Sequence, residues 1–225
     1  MNPLIIECND MLNGCGFDYA FCGGHALDIY LGYTTRPHGD IDLSAYWEDR
    51  NKIILFMQSQ DWVVYEAMGG GKIHLITDTG DQKLIKLNIF CVKEGCSFFH
   101  AELTENDVYL CEIDHIEQNN LDYIEFLFNK RETNDFIYSR NNEIRQELDK
   151  AILHKNGISY FSPELVLLYK STDLSREENR QDFDMMISHL SDESKEWLRN
   201  ALLTAFPDGH EWINRLEKAL LRLMT

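Results

Sequence analysis

Basic side chains are scarce in this sequence: 21 Lys and Arg stand against 38 Asp and Glu, a formal net charge of −17 over 225 residues. A surface of that sign repels phosphate backbones and anionic membranes and attracts cationic small molecules. That argues against nucleic acid as the main partner, while leaving room for a local basic pocket that takes a nucleotide. Proline is rare too, at four residues, and no low-complexity stretch or internal repeat occurs, so the chain is neither disordered nor fibrous. No run approaches the roughly eighteen apolar residues of a membrane span. The opening MNPLIIECND already holds Glu7 and Asp10 and lacks a basic start, so no secretory signal is expected. None of the six cysteines forms a Cys-x-x-Cys pair or has a histidine at zinc-like spacing, which reads as a cytoplasmic chain with free thiols. The histidines show no His-x-His or His-x-x-x-His spacing either, which argues against a metallohydrolase.

What is present changes character near residue 160. Before it, short β-branched and aromatic runs alternate with candidate helices; after it, helix signals dominate. The pattern predicts an α+β fold whose N-terminal part is α/β-like, with one unit over 1–160 and a helical bundle over 161–225. Helices are expected over 3–12, 25–31, 48–60 and 142–154, and strands over 17–22, 40–45 and 62–66. Residues 74–77 and 84–92 read as a hairpin joined by Asp78-Thr79-Gly80-Asp81. Residues 113–129 are ambiguous: Asp114 suits a helix cap, yet 121–128 suits a strand. Ser162-Pro163 opens a helix, Ser175 with Glu178 fits a capping box, and two more helices follow, around 193–206 and after Pro207-Asp208-Gly209.

Chemistry gathers in the first fifth of the chain. In Asp40-Ile41-Asp42 the period-two alternation of a strand puts both carboxylates on one face, about 6–7 Å apart at their α-carbons. A hard divalent cation such as Mg²⁺ would compensate their repulsion. Gly23-Gly24 lies between a strand and a helix, where missing side chains let phosphate oxygens reach backbone N–H groups and the helix dipole. Arg36 and His38 sit in the loop that enters the acidic strand, and either could meet a phosphate. Each feature alone also has a plain reading: a solvated strand face, a tight connection, an exposed loop.

The combination Gly23-Gly24-His25-Ala26-Leu27-Asp28, then Gly32, then Arg36-Pro37-His38-Gly39-Asp40-Ile41-Asp42 resembles the small-molecule nucleotidyltransferases of antibiotic resistance. Within them it is most similar to the aminoglycoside 2''-adenylyltransferase and lincosamide nucleotidyltransferase group. Ser162 to Lys170 resembles that group's Pro-Glu-x-x-Leu-Leu-[Phe/Tyr]-Lys helix, and Asp182-Phe183, Trp197-Leu198 and Gly209-His210-Glu211-Trp212 agree further on. The resemblance implies a mixed-sheet nucleotidyltransferase domain flanked by helices and followed by a helical domain. It implies Mg²⁺ on Asp40 and Asp42, and ATP or another NTP as co-substrate near Gly23, Gly24, Arg36, His38 and Lys170. It also implies a small hydroxylated, cationic acceptor such as an aminoglycoside or lincosamide.

One position departs from the group. A third carboxylate is expected from a later strand, as metal ligand or general base, and its place falls on Asn88. An amide carries no charge and is not a base. Several readings stay open: Glu66, Asp78, Asp81 or Glu112 substitutes, the acceptor loses its proton differently, or transfer is lost. In the last case the chain would be a nucleotide-binding or regulatory protein that keeps the fold.

Overall fold

The computed structural model describes residues 2–83, 88–114 and 118–221. The fold is α+β, and the described residues form a mixed sheet of twelve strands with eight α-helices. The first half contributes helices α1 (Pro3–Met11), α2 (Gly23–Leu31) and α3 (Arg50–Ser59) and strands β1 (Tyr19–Phe21), β2 (Asp42–Tyr46), β3 (Trp62–Gly69), β4 (Lys72–Leu75) and β5 (Ile89–Lys93). Then follow β6 (Phe99–Glu105), β7 (Val108–Ile113), β8 (Tyr123–Glu132), β9 (Asp135–Ile137) and β10 (Arg145–Glu147). A one-turn helix α4 (Leu148–Ala151) leads to β11 (Ile152–Lys155) and β12 (Ile158–Phe161). Helices α5 (Pro163–Lys170), α6 (Glu177–Met186), α7 (Asp192–Ala205) and α8 (Glu211–Leu221) close the chain.

Strand order is β11-β12-β1-β2-β8-β5-β3-β4-β7-β6, with β9 and β10 extending from β8. The pairs β1·β12 and β2·β8 are parallel and the other pairs antiparallel. Register decides what each face carries, because residues paired across a sheet point the same way. Phe21, Leu43, Phe126 and Ile89 form one row, and all four are fully buried. Phe126 packs edge-on against Phe17, which in turn meets Phe56 of α3, so this face holds the main core. The neighbouring row, Asp42, Glu125, Phe90 and Tyr65, faces the other way. The β6–β7 hairpin curls over its far end, where Phe99 meets Tyr65, Phe90 and Tyr123 at ring separations of 5.6, 6.5 and 5.8 Å. The main core runs from Leu4 to Leu216 across residue 160, with the Phe183 and Trp212 rings stacked at 4.1 Å between α6 and α8.

Several local expectations are corrected. Residues 142–154 form β10, α4 and β11 instead of one helix. The chain turns at Asn156-Gly157, both at positive φ, which closes the β11–β12 hairpin. Strand β4 pairs with β3 across Gly70-Gly71, not with β5, so Asp78 to Asp81 does not join a hairpin. The expected strand over 84–92 is seen from Ile89, and residues 84–87 lie outside the described residues. The ambiguous stretch resolves as strand β8, and β6–β7 turns at Asn106-Asp107. Ser175 does not cap α6: its hydroxyl donates to Asp173, and Arg176 takes the N-cap position.

Candidate functional site

A cavity of about 430 Å³ opens where the C-terminal end of β1, the start of β2 and the first half of β8 meet α5 and the α5–α6 loop. Gly23, Asp40, Asp42, Asn88 and Glu125 line one side, and Lys170, Asp173, Arg176 and Asn179 the other. Asp40 is exposed just before β2 and Asp42 is half-buried as its first residue. Ile41 between them is fully buried, and its carbonyl accepts from the Glu125 N–H at 2.9 Å, which ties the acidic segment to β8.

Parallel pairing sets Asp42 directly opposite Glu125. Their α-carbons are therefore about 4.8 Å apart with both side chains on the same face. Asn88 reaches in from the strand on the other side of β8, and its Nδ2 donates to Glu125 Oε1 at 2.6 Å. Both carboxylates are half-buried and line the cavity. Burial, followed by the charges of Asp40 and Glu125, pushes Asp42 well above the usual carboxylate range. Burial pushes Glu125 up to about 7, against the Asn88 hydrogen bond that works to lower it. Glu125 is the residue missed in the sequence. Of the four substitutes considered, Glu66 lies on the opposite face of β3, fully buried between Arg50 and His74. Asp78, Asp81 and Glu112 do not line this cavity either.

Gly23 has a reason beyond its φ of +63°: a Cβ there would stand 2.4 Å from Asp42 Oδ2. Gly24 likewise leaves room for the His38 ring, which a Cβ would meet at 2.3 Å, and for Arg36. Both side chains pack behind the glycine turn, and neither lines the cavity. His38 Nε2 lies 2.8 Å from Asp28 Oδ2, while Thr35 donates to Oδ1 through its N–H at 2.9 Å and its hydroxyl at 2.7 Å. Burial alone would raise Asp28; these donors outweigh it and hold the carboxyl below its usual range. His25, against His38, is driven by burial down to about 3, so its ring is neutral.

Asp182 of α6, nine-tenths and more buried, gathers two cations. Arg36 Nη2 reaches it at 3.1 Å and Lys170 Nζ at 2.9 Å, and together they hold its carboxyl low against burial. The loop entering the acidic strand is thereby tied to the C-terminal helices. Lys170 also donates to Asn179 Oδ1 at 3.2 Å, so its ammonium is fixed at the cavity edge.

All six cysteines are free thiols, and among the described residues no helix is long and apolar enough to cross a membrane. The fold is similar to that of a lincosamide antibiotic adenylyltransferase, LnuA, in a lincomycin-bound crystal structure. The TM-score is 0.50 at 15% identity, over 82% of this chain and 94% of that one. It is also similar to the solution structure of the antibiotic-resistance factor ANT(2'')-Ia, with TM-score 0.51 at 14% identity over 91% and 92% of the two chains. No match was found among curated proteins. Residues 4–125, more than half of the sequence and inclusive of every carboxylate of the cavity's acidic side, match the profile of the aminoglycoside-2''-adenylyltransferases, and the chain belongs to that family.

Proposed function

We propose that this protein is a metal-dependent nucleotidyltransferase that moves a nucleoside monophosphate, AMP from ATP in the first instance, to a hydroxyl of a small molecule. The acceptor we propose is a cationic or hydroxylated antibiotic of the aminoglycoside or lincosamide kind. The observation that carries this reading is the meeting of Asp40, Asp42 and Glu125 in one cavity beside Gly23. In the proposed arrangement residues 1–160 act as the transferase domain and 161–225 as a helical domain closing one side of the cleft.

The residues fit a hard divalent cation. Three carboxylates share one cleft, and two are pushed up, first by burial and then by neighbouring carboxylate charge. Asp40 and Asp42 would hold Mg²⁺, which when bound supplies positive charge to the carboxylates and the triphosphate oxygens. Without a side chain, Gly23 lets a phosphate oxygen approach the backbone at the start of α2, where the N–H groups and dipole favour an anion. Asp182 fixes Lys170, and the ammonium faces the cavity as a positioned charge rather than a wandering one.

Glu125 suits the part of general base. Asn88 occupies its Oε1 and leaves Oε2 to take the proton of the acceptor hydroxyl. A proton affinity near neutrality is what such a transfer needs. As that oxygen bonds to the α-phosphorus, the bond to the bridging oxygen breaks and pyrophosphate leaves. With Glu125 in place, Asn88 is no reason to assign a chain that binds nucleotide without transferring it. Pyrophosphate release from ATP, with aminoglycosides and lincosamides as acceptors and Mg²⁺ present or withheld, tests the proposal. Release that needs acceptor and metal and is lost in Asp42→Asn is expected. A wild-type protein that binds no NTP in the presence of Mg²⁺ would refute the reading.

A further inference from the structure

Four cations stand in or behind the wall opposite the carboxylates, and three are already engaged. Arg36 and Lys170 share Asp182. Arg140 donates to the Tyr169 carbonyl at 2.9 Å and to the Thr172 hydroxyl, with its guanidinium 5.3 Å from the centre of the Tyr169 ring. The fourth, Arg176, lines the cavity, is exposed, and forms no salt bridge among the described residues.

Its backbone, by contrast, is held. Asp173 Oδ1 accepts from the Ser175 N–H at 3.1 Å and from the Ser175 hydroxyl. The buried Asn179 donates from Nδ2 to the Asp173 carbonyl at 2.7 Å while its Oδ1 accepts from Lys170. A fixed turn therefore presents a long side chain that is free to swing into the cleft. An exposed arginine loses rotamer freedom when it is pinned, and that cost is met only where a ligand accepts its forked donors. Its charge already acts on Asp42 across the cavity.

Resting on the nucleotidyltransferase reading, we infer that Arg176 binds the terminal phosphates of the bound NTP and stays with them as the departing pyrophosphate. Lys170, tethered to Asp182, is the fixed charge of the site, and Arg176 is the mobile one, engaged when the nucleotide arrives. It therefore distinguishes a triphosphate from a monophosphate, which has nothing to offer at that place.

Calorimetric titration of the full chain with Mg²⁺ and α,β-methylene-ATP, and separately with AMP, tests this. Loss of a charge-assisted contact predicts a roughly tenfold or greater fall in triphosphate affinity for Arg176→Ala, with partial recovery in Arg176→Lys. AMP affinity should stay within about twofold of wild type. Arg145→Ala, which removes an exposed arginine of β10 paired with Glu132 and lying outside this cavity, should leave both unchanged. Triphosphate affinity of Arg176→Ala within about twofold of wild type, or an equal loss for AMP, would overturn the inference. If Asp42→Asn then still abolishes metal-dependent binding, the transferase reading stands and only Arg176 has been misplaced. If wild type binds no triphosphate with Mg²⁺, both fall together.

Discussion

Glu125→Gln should make the metal-free protein more stable, and increasingly so as the pH rises. The folded chain holds the Glu125 proton up to about pH 7, whereas an unfolded glutamate releases it near 4.5. Below that lower value both states are protonated and the substitution changes little. Between the two values the folded state binds more protons than the unfolded one, so wild-type stability falls with rising pH and levels out above about 7. At about 1.4 kcal/mol per pH unit the interval is worth about 3 kcal/mol, and water at the mouth of the cavity screens the charge, so roughly 1–3 kcal/mol is expected. For a chain of this length that is roughly 3–10 °C in melting temperature. Melting curves of wild type and variant in EDTA, from pH 4.5 to 8, should diverge by that much. The variant's carboxamide keeps an oxygen for the Asn88 donor, so the comparison isolates the charge. Mg²⁺ should narrow the gap at pH 8 by stabilising the wild type more than the variant, because the cation offsets the Glu125 charge as well as those of Asp40 and Asp42. Parallel curves across the whole range would mean that Glu125 ionises freely, and the argument for a strained carboxylate pair would be wrong.

Much of the architecture is legible in the sequence because local chemistry and fold agree. Pro163 begins α5, and Gly32 ends α2 in the left-handed region. Asn156-Gly157 is an equally local mark of chain reversal, and it outweighs the helical pattern over 142–154. The stripe Phe183, Met186, then Trp212 and Leu216 is buried as helix periodicity requires. What the sequence could not show is which strand lies beside β2. The acidic segment and β5 both precede residue 94, so closeness in the chain points to Asn88 and to nearby acids. The strand inserted between them is β8, which comes later in the chain, and a parallel pairing across more than eighty residues leaves no local mark. One signal was available: in Tyr123-Ile124-Glu125-Phe126-Leu127-Phe128 a single acid interrupts an apolar strand, and an ionisable group there needs a reason. Arg36 and His38 illustrate the converse limit. Their types fit a phosphate, but the acids that engage them, Asp182 and Asp28, lie 146 and 10 residues away, and only the fold brings them into contact.

Three further substitutions probe the same site. Gly23→Ala would set a Cβ 2.4 Å from Asp42 Oδ2 at a φ of +63°, so thermal unfolding should show a loss of roughly 1–3 kcal/mol and calorimetry a loss of metal-dependent nucleotide binding. An unchanged affinity would mean that the turn yields without moving Asp42. Asp182→Asn removes the shared partner of Arg36 and Lys170 and should cost roughly 2–4 kcal/mol in urea unfolding, more than Arg36→Ala, whose loss leaves Lys170 still paired. The exchange of Asn88 and Glu125 asks whether the cavity needs a carboxylate on a particular strand or only one of each group in contact. Asn88→Asp alone puts a second carboxylate where an amide now donates at 2.6 Å, so it should destabilise the metal-free protein and raise the shared proton affinity further. Asn88→Asp combined with Glu125→Gln restores one carboxylate and one carboxamide across the β5–β8 pair with their strands exchanged. Stability should then return to within about 1 kcal/mol of wild type, and the two changes should be strongly non-additive. Metal-dependent nucleotide binding should survive the exchange, because the cavity keeps three carboxylates. A double variant as unstable as Asn88→Asp alone would show that the position on β8, and not the pairing itself, is what the fold requires.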